Sequence, residues 1–428
     1  MIGYVIFGRA VSYLGIPPIY VGEVALLFGL VYVGAHFEWR KLLKIGITKW
    51  LLLFMAWCAV RTIPYLSHFG KDALRDGAIW GYGFFSIIIA TLVIRRNLFV
   101  PIIKWYRDLS VIFAVWIPFA MIYMFFFSDR IPLLPWGPFS NIPLISLKGG
   151  DLGVHIAGIF SFYYLILPNY PFRKSLLLFW ISWVFCILFI GITGRAAFLT
   201  VSLTTIITLY QRSHESWAKW IAVILILFSL FLIFEVEIDT GQERIISYDQ
   251  LITNVKSIFG DVEGYSGEGS KIWRIMWWQK IIDYTLFVEY FWTGKVFGIN
   301  LADDDGFQVL DENALRSPHN GHLTILARAG VPGFILWLIL QISFFFSLWK
   351  SHRRLIRQGY FLDSLLYVWV AIYWLAFMIN GSFDVFFEGP QGGIWLWSLI
   401  GFGLALIYAE RNNTDVVTKT SIEADILQ

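Results

Sequence analysis

Long apolar runs separated by short polar connections follow one another along the whole chain. A helix that crosses the hydrocarbon core of a bilayer needs roughly 20 mainly apolar residues, so the pattern predicts an all-α polytopic membrane protein with about twelve transmembrane helices. Their approximate ranges are 2–16, 18–36, 50–66, 78–94, 109–127, 151–167, 175–192, 196–210, 217–235, 321–346, 361–379 and 392–409.

One connection, residues 236–320, is far longer than the roughly 4–6 residues typical of connections, which indicates a functional or disordered segment. Apolar residues recur at helical spacing over 245–259 and over 271–292, which favours an ordered loop. The second stretch is rich in tryptophan, and we expect it to lie at the headgroup level with its apolar face towards the membrane. The predicted regions are helices within 1–235, an extracytoplasmic helical loop over 236–320, helices within 321–409 and a polar tail over 410–428.

Composition and charge support a membrane protein and fix its predicted orientation. Hydrophobic residues make up 58% of the chain and charged residues only 15%, whereas soluble domains are about a quarter charged. Lysine and arginine are concentrated in alternate connections, including 40–49, 95–107 and 350–357, which are therefore predicted to be cytoplasmic. Both termini are then cytoplasmic, and the long loop faces the other side. The net charge of +3 comes mostly from these connections and does not indicate nucleic-acid binding.

Several other chemistries find little support in the sequence. No phosphate-binding Walker motif and no Cys/His metal spacing is present, which argues against a pump driven by ATP within this chain. Cys58 and Cys186 lie in apolar runs, so we expect no disulfide framework in the loop. The run Asp303–Asp305 could suggest a divalent ion, but consecutive side chains diverge. We interpret it as a solvated turn.

The most distinctive polar residues are predicted to lie on the extracytoplasmic side. His319 stands where the long loop meets an apolar run, and it could either accept a proton near neutral pH or simply cap a helix. Arg195 lies at the outer mouth of the eighth predicted span and could bind a substrate or a lipid phosphate. The other candidates are Arg274, Arg316, Asn320 and His322, with Asp384 and Glu388 in the last outward connection.

Arginine binds phosphate oxygens through two parallel hydrogen bonds and keeps its charge in a low dielectric. A base beside several arginines at a membrane surface therefore suits chemistry on a lipid-borne diphosphate. In that chemistry, arginine stabilises the leaving diphosphate and His319 accepts the proton of an attacking hydroxyl.

These residues resemble the O-antigen ligase family. His319-Asn320, followed after nine residues by Gly330-Val-Pro-Gly333, fits the family's histidine motif at the end of a large outer loop. Thr193-Gly194-Arg195 is similar to the family's arginine at a short outer turn. Ile272-Trp-Arg274, followed by Trp278, is similar to the arginine of its amphipathic loop helix. The segment Trp292–Gly298 departs from the Pro-x-x-Gly-x-Gly that often follows in the family.

The resemblance implies a GT-C-like fold and a metal-independent, inverting glycosyl transfer with no cofactor. The implied donor is a glycan on a polyprenyl (undecaprenyl) diphosphate, and the acceptor is lipid A-core or another glycan. His319 would be the catalytic base, while Arg195, Arg274 and Arg316 would bind the diphosphate. Asn320 and His322 would orient the acceptor, although His322 could equally be a packing residue. The implied partners are these substrates and the lipids of a bacterial inner membrane, not nucleic acid.

The sequence alone also leaves other activities possible. An O-antigen or exopolysaccharide polymerase uses the same chemistry, and the sequence does not separate it from a ligase. A protein O-oligosaccharyltransferase shares the histidine motif. A flippase would instead place its charges at mid-bilayer depth and carry paired broken helices. Here the marked charges cluster at one face, which favours surface chemistry.

Overall fold

The computed structural model describes residues 2–16, 19–36, 39–134, 142–166, 182–187, 189–191, 194–211, 238–239, 245–246, 268–309 and 315–412. The chain divides into two compact units, which we describe separately. Unit 1 comprises Met1–Tyr13 and Pro101–Glu268, and unit 2 comprises Leu14–Val100 and Gly269–Gln428.

The described ranges are mainly helical. In chain order the helices are α1 (Ile2–Phe7), α2 (Arg9–Ser12), α3 (Val21–Ala35), α4 (Trp39–Leu42), α5 (Gly46–Val60), α6 (Leu66–Phe69), α7 (Lys71–Gly81), α8 (Phe84–Arg96), α9 (Phe99–Phe126), α10 (Gly149–Leu165), α11 (Arg195–Tyr210), α12 (Glu268–Leu286), α13 (Leu301–Asp305), α14 (Gly321–Arg357), α15 (Phe361–Gly381) and α16 (Pro390–Arg411). Two short antiparallel pairs join β1 (Gly15–Ile16) to β2 (Ile19–Tyr20) and β3 (Ile238–Asp239) to β4 (Ile245–Ile246).

Within the described residues, five segments are long and apolar enough to cross a membrane. These are Gly46–Phe69, Phe99–Met124, Gly321–Arg357, Phe361–Gly381 and Pro390–Arg411. The pair α7 and α8, bent by 42°, could form a sixth span. The class of all-α polytopic membrane protein is therefore confirmed. The count of twelve spans, the GT-C-like character and the region boundaries stay predictions, because the ranges 217–235 and 413–428 and much of 236–320 lie outside the described residues.

In unit 1, the first predicted span is wrong as a continuous helix, because it breaks at Gly8. This glycine has φ = 66°, and a Cβ there would lie 2.1 Å from the carbonyl oxygen of Ser146. The next amide, Arg9 N, donates to the same oxygen at 2.9 Å. Farther along, α10 and α11 pack closely because a Cβ on Gly153 would already be 3.2 Å from that of Ala197.

A second correction concerns the long loop. The helix predicted over 245–259 is wrong at its start, because Ile245–Ile246 pairs with Ile238–Asp239 as a two-residue strand. The rest of that predicted helix lies outside the described residues. The helix predicted over 271–292 is confirmed as α12, although it ends at Leu286.

In unit 2, α16 is the central helix, since nearly all of its residues are buried inside the protein. Ser86 on α8 donates to the Trp397 carbonyl oxygen at 2.7 Å. The two helices can approach because a Cβ on Gly401 would stand only 2.6 Å from the Ser86 carbonyl oxygen. Trp337 of α14 packs against Phe54 and Trp397, which joins α5, α14 and α16 in one aromatic core.

Helix α14 is broken where it carries the Gly-Val-Pro-Gly segment. Gly330 adopts φ = 68° and ψ = −177°, outside the helical region, and Pro332 has no N–H to donate. The break leaves backbone groups on both sides of Gly330 without helical partners. Three hydrogen bonds from other segments use these groups: Lys295 N to Ala327 O at 2.7 Å, Val331 N to Phe291 O at 2.8 Å, and Trp57 Nε1 to Ala329 O at 2.8 Å.

We predict that Gly330→Ala destabilises unit 2. The new methyl group would occupy a left-handed backbone position and lie 2.7 Å from the Phe291 carbonyl oxygen. Strained backbone of this kind costs about 1–3 kcal/mol. The thermal unfolding midpoint of purified protein should fall. Gly81→Ala is the matched control, because a Cβ there meets no atom within 4 Å. Equal midpoints for the two variants would contradict the account.

Candidate functional site

The candidate site lies at the junction of α12 with the start of α14, within unit 2. Trp277 and Ile281 of α12 are fully buried against Leu326 and Ala327 of α14. The expectation that the tryptophan-rich face of α12 turns towards the membrane is therefore wrong for Trp277. This face packs on the protein and fixes α12 along the segment that carries the histidine motif.

The aspartate run is a further correction, because Asp305 anchors the loop from a buried position. Lys295 Nζ donates to Asp305 Oδ1 at 2.6 Å, and Trp277 Nε1 donates to Oδ2 at 2.7 Å. Burial alone would lower the pKa of Lys295, but its hydrogen bonds to Asp304 and Asp305 outweigh that effect and raise it. Asp303 does remain exposed, as expected of a turn. Among the described residues, no group of three or more His, Cys, Asp or Glu side chains could hold a metal ion.

His319 lies immediately before α14 in a left-handed backbone conformation, with φ = 52°. The next residue, Asn320, is the N-cap, and its side-chain oxygen accepts from His322 N and Leu323 N at 3.1 Å each. A side chain that caps two amides stabilises the first turn of a helix by about 1 kcal/mol. Asn320 therefore holds the backbone that presents His319, and its role in orienting an acceptor stays a prediction.

An aspartate from the loop between α15 and α16 contacts the imidazole. Asp384 Oδ1 lies 3.5 Å from His319 Nδ1, and the side chains are 20% and 30% exposed respectively. Trp273 of α12 packs edge-on against the same imidazole, with ring centroids 6.5 Å apart. At 3.5 Å the contact is an ion-pair distance and longer than a good hydrogen bond. It turns Nδ1 towards a carboxylate and leaves Nε2 as the nitrogen for a substrate.

Arg274 reaches the same loop from α12. Its Nη1 donates to the carbonyl oxygen of Phe383 at 3.2 Å, one residue before the aspartate that faces the imidazole. Trp278, one turn farther along α12, donates to the Pro318 carbonyl oxygen at 2.8 Å. Thus the structure brings Arg274 and His319 to two adjacent residues of one loop, Phe383 and Asp384.

His322 has both ring nitrogens occupied within the protein. Trp337 Nε1 can only donate, so His322 Nδ1 accepts its hydrogen at 3.0 Å. Nε2 must then carry the ring hydrogen of the neutral imidazole and donate to the Met378 carbonyl oxygen at 3.1 Å. This arrangement favours the packing interpretation. The alternative role in orienting an acceptor stays a prediction.

Arg316 is held by carboxylates of α7. Its Nη2 lies 3.0 Å from Asp76 Oδ2, and its Nη1 lies 3.7 Å from Asp72 Oδ2. Asp76 is buried and also binds Arg328 Nη1 at 2.8 Å and the amide of Gly298 at 2.9 Å. Because this guanidinium is already paired, its geometry favours a structural role. Its role in binding diphosphate stays a prediction.

Sequence reasoning missed Arg328, which is fully buried on α14. Its Nε and Nη2 have no hydrogen-bond partner among the described residues. A buried charge is stable only when it is paired, and Asp76 supplies that pairing. The available signal was a cation within an apolar helical run, nine residues after the histidine.

Glu388 lies near this buried cluster. Its Oε1 is buried without a hydrogen-bond partner among the described residues, although the side chain as a whole is partly exposed. Burial raises the pKa of Glu388, and the positive charge of Arg328 opposes part of that rise. Glu388 is therefore part of the charge cluster formed with Arg328 and Asp76.

Arg195 belongs to unit 1, where it is the first residue of α11. Its side chain is partly buried, and Gly194 before it adopts extended backbone. Its predicted role in binding diphosphate stays a prediction.

We predict that Arg316→Ala mainly lowers stability. It removes one of three partners of the buried Asp76, and an unsatisfied buried group costs about 1–3 kcal/mol. The thermal unfolding midpoint should fall clearly below that of Arg353→Ala, an exposed arginine at the other end of α14. An unchanged midpoint together with weakened binding of a diphosphate ligand would instead establish Arg316 as a ligand-binding residue.

Comparison with known proteins bears on the same region. None of the curated proteins compared with the chain matches it. Residues 155–338 match the family model described as O-antigen ligase. The matched range runs from α10 into α14 and includes Arg195, Arg274 and His319. The match over this range supports the resemblance to the O-antigen ligase family.

Proposed function

We propose that the protein is a membrane glycosyltransferase that moves a glycan from a polyprenyl diphosphate to an acceptor hydroxyl, in the manner of an O-antigen ligase. The family implies a lipid-linked glycan or polysaccharide substrate and an enzyme of glycosyltransferase type. Within this class, we propose a polyprenyl-diphosphate-linked donor and lipid A-core as the acceptor. The proposed site lies on the periplasmic face of the bacterial inner membrane.

The observation that carries this proposal is the meeting of His319 and Arg274 at Phe383 and Asp384. A proton acceptor and a guanidinium group that contact one short loop can act on the two ends of a single displacement. The partial exposure of His319 leaves the imidazole accessible to a substrate.

The reaction that we propose is a single inverting displacement. His319 Nε2 accepts the proton of the acceptor hydroxyl while its oxygen bonds to the anomeric carbon. The bond from that carbon to the diphosphate oxygen breaks, and the lipid diphosphate leaves as an anion. Asp384 stabilises the imidazolium that forms, because its negative charge lies beside Nδ1.

Arginine would neutralise the leaving group without a metal. A guanidinium group offers a planar set of donors that matches two phosphate oxygens, and it stays charged in a low dielectric. Arg274 is the arginine that contacts the same loop as the base, and Arg195 is proposed as a second from its place in the family motif. Stabilising charge that develops on a leaving group is the largest part of many enzymatic rate enhancements.

We predict that His319→Ala abolishes most transfer in a reconstitution of purified protein, polyprenyl-diphosphate-linked glycan and acceptor. Loss of a general base lowers the rate on the order of 10²- to 10⁴-fold. His68→Ala, an exposed histidine outside the site, serves as the matched control and should retain the parent rate. If His319→Ala turned over as fast as the parent protein, the assignment would be wrong.

Arg274→Ala should act differently, because the guanidinium group binds the donor. We expect a higher KM for the glycan donor with an unchanged KM for the acceptor. Arg353→Ala provides the control for loss of one positive charge. A donor dependence equal to that of the parent protein would contradict the role of Arg274.

For Asp384→Asn we predict a lower kcat with little change in the donor KM. A partly exposed ion pair contributes about 1 kcal/mol, which corresponds to roughly a fivefold change in rate. Asp384→Glu should recover part of the loss, because it restores the charge. A purely structural role would instead lower the unfolding midpoint of both variants equally, with no selective recovery of kcat.

The glycan products in a deletion strain would separate ligase from polymerase. For a ligase, polymerised glycan stays on its polyprenyl carrier and lipid A-core remains unsubstituted. Single repeat units attached to lipid A-core would identify the protein as the polymerase.

A further inference from the structure

The turn after α12 exposes large apolar side chains, which no other described residues cover. Phe287, Val288 and Trp292 are 76%, 66% and 68% exposed, and Leu286 beside them is also exposed. Single exposed apolar residues are ordinary, but an apolar cluster on one short turn indicates an interaction surface. We call residues 286–292 the apolar turn, in which Glu289 is the one charged residue and is exposed.

Hydrogen bonds fix the position of the apolar turn along the axis of α14. Phe291 O accepts from Val331 N at 2.8 Å, directly at the break in α14. From the other side, Arg61 Nε donates to the Thr293 carbonyl oxygen at 2.9 Å. Gly294 permits this approach, because a Cβ there would lie 2.5 Å from the carbonyl carbon of Arg328. The position of the turn along α14 is therefore set by backbone contacts.

The exposed side chains of α14 indicate where a hydrocarbon core would begin. Its exposed apolar side chains form one helical stripe that starts at Ile335 and continues through Leu338, Ile342 and Phe346. Ile335 is one helical turn after Val331, about 6 Å along the axis. Lys350 begins the basic segment at the other end. Residues 331–349 would span about 28 Å, close to the roughly 30 Å of a hydrocarbon core.

These observations place the apolar turn beside the edge of the hydrocarbon layer. We propose that it inserts into the lipid leaflet on the side of the candidate site, with Trp292 at the headgroup boundary, where tryptophan is enriched in membrane proteins. On the preceding part of α12, Ile272, Ile275 and Met276 are also exposed. Gln279 and Asp283, which hydrogen-bond to each other at 2.8 Å, separate them from the apolar turn.

Insertion would fix α12 relative to the lipid phosphates. Arg274 lies on the same helix, so the depth of the turn would set the height at which this guanidinium group meets a membrane-borne ligand. The leaflet contact itself does not depend on the proposed glycosyl transfer and can be tested without substrate.

The test is spin labelling of the full-length protein in lipid nanodiscs. Single cysteines replace Phe287, Val288 or Trp292, and Asp303→Cys supplies an exposed polar control in the same unit. Cys58 and Cys186 are buried, and the parent protein measures any labelling of them. Collision rates with oxygen, which concentrates in lipid, and with a water-soluble nickel chelate report the surroundings of each label.

We expect the ratio of oxygen to nickel collisions to be several-fold higher at all three turn positions than at residue 303. A ratio equal to that at residue 303 would mean that the turn faces water and would overturn the proposal. Labels shielded from both reagents would also overturn it, because another protein surface, such as a second copy of the chain, would then cover the turn.

Discussion

The break in α14 at Gly330 is the constraint on which the rest of the described site depends. An unbroken helix would satisfy its own backbone groups and leave nothing for the loop to bond. Because the chain departs from helical geometry there, Ala327, Ala329 and Val331 hold the loop and α5 through their backbone atoms. The two glycines at this junction, Gly294 and Gly330, fit because any side chain would collide with the facing backbone.

A second layer of support consists of buried charge. Asp76 accepts from two arginines and one amide, so it ties α7 to α14 and to the segment just before His319. Removing a single partner from such a cluster leaves charge uncompensated in a low dielectric, which costs more than the cluster contributes when complete. These groups explain how a polar segment stays ordered beside a bilayer.

The sequence predicted the elements and the residue types of the site better than their contacts. Hydropathy located α14, α15 and α16 closely, because long apolar runs have few alternatives to a spanning helix. It did not reveal the break at Gly8, which depends on a contact with Ser146 from a distant segment. Nor could it distinguish Asp305 from its exposed neighbours, since burial of one aspartate depends on Lys295 and Trp277 folding over it.

The arginines show the same limit of prediction from sequence. Charge and spacing marked Arg274 and Arg316 alike, yet one guanidinium group reaches the loop that holds Asp384 and the other is paired with Asp76. Which cation is available to a ligand is a property of the packed structure. Local sequence carries little information about it, because Phe383 lies 109 residues from Arg274 and Asp76 lies 240 residues from Arg316.

The left-handed backbone at His319 has a consequence for the tolerance of this position to exchange. Asparagine, aspartate and glycine adopt such a conformation readily, whereas valine, isoleucine and threonine do so only with steric strain. Among variants with every amino acid at position 319, backbone strain would therefore decide first which of them fold. Side-chain chemistry would then decide which of the folded variants are active. Asparagine fits the left-handed backbone but is a far weaker base than an imidazole, so it would separate the backbone requirement from the proposed role of the histidine as a base.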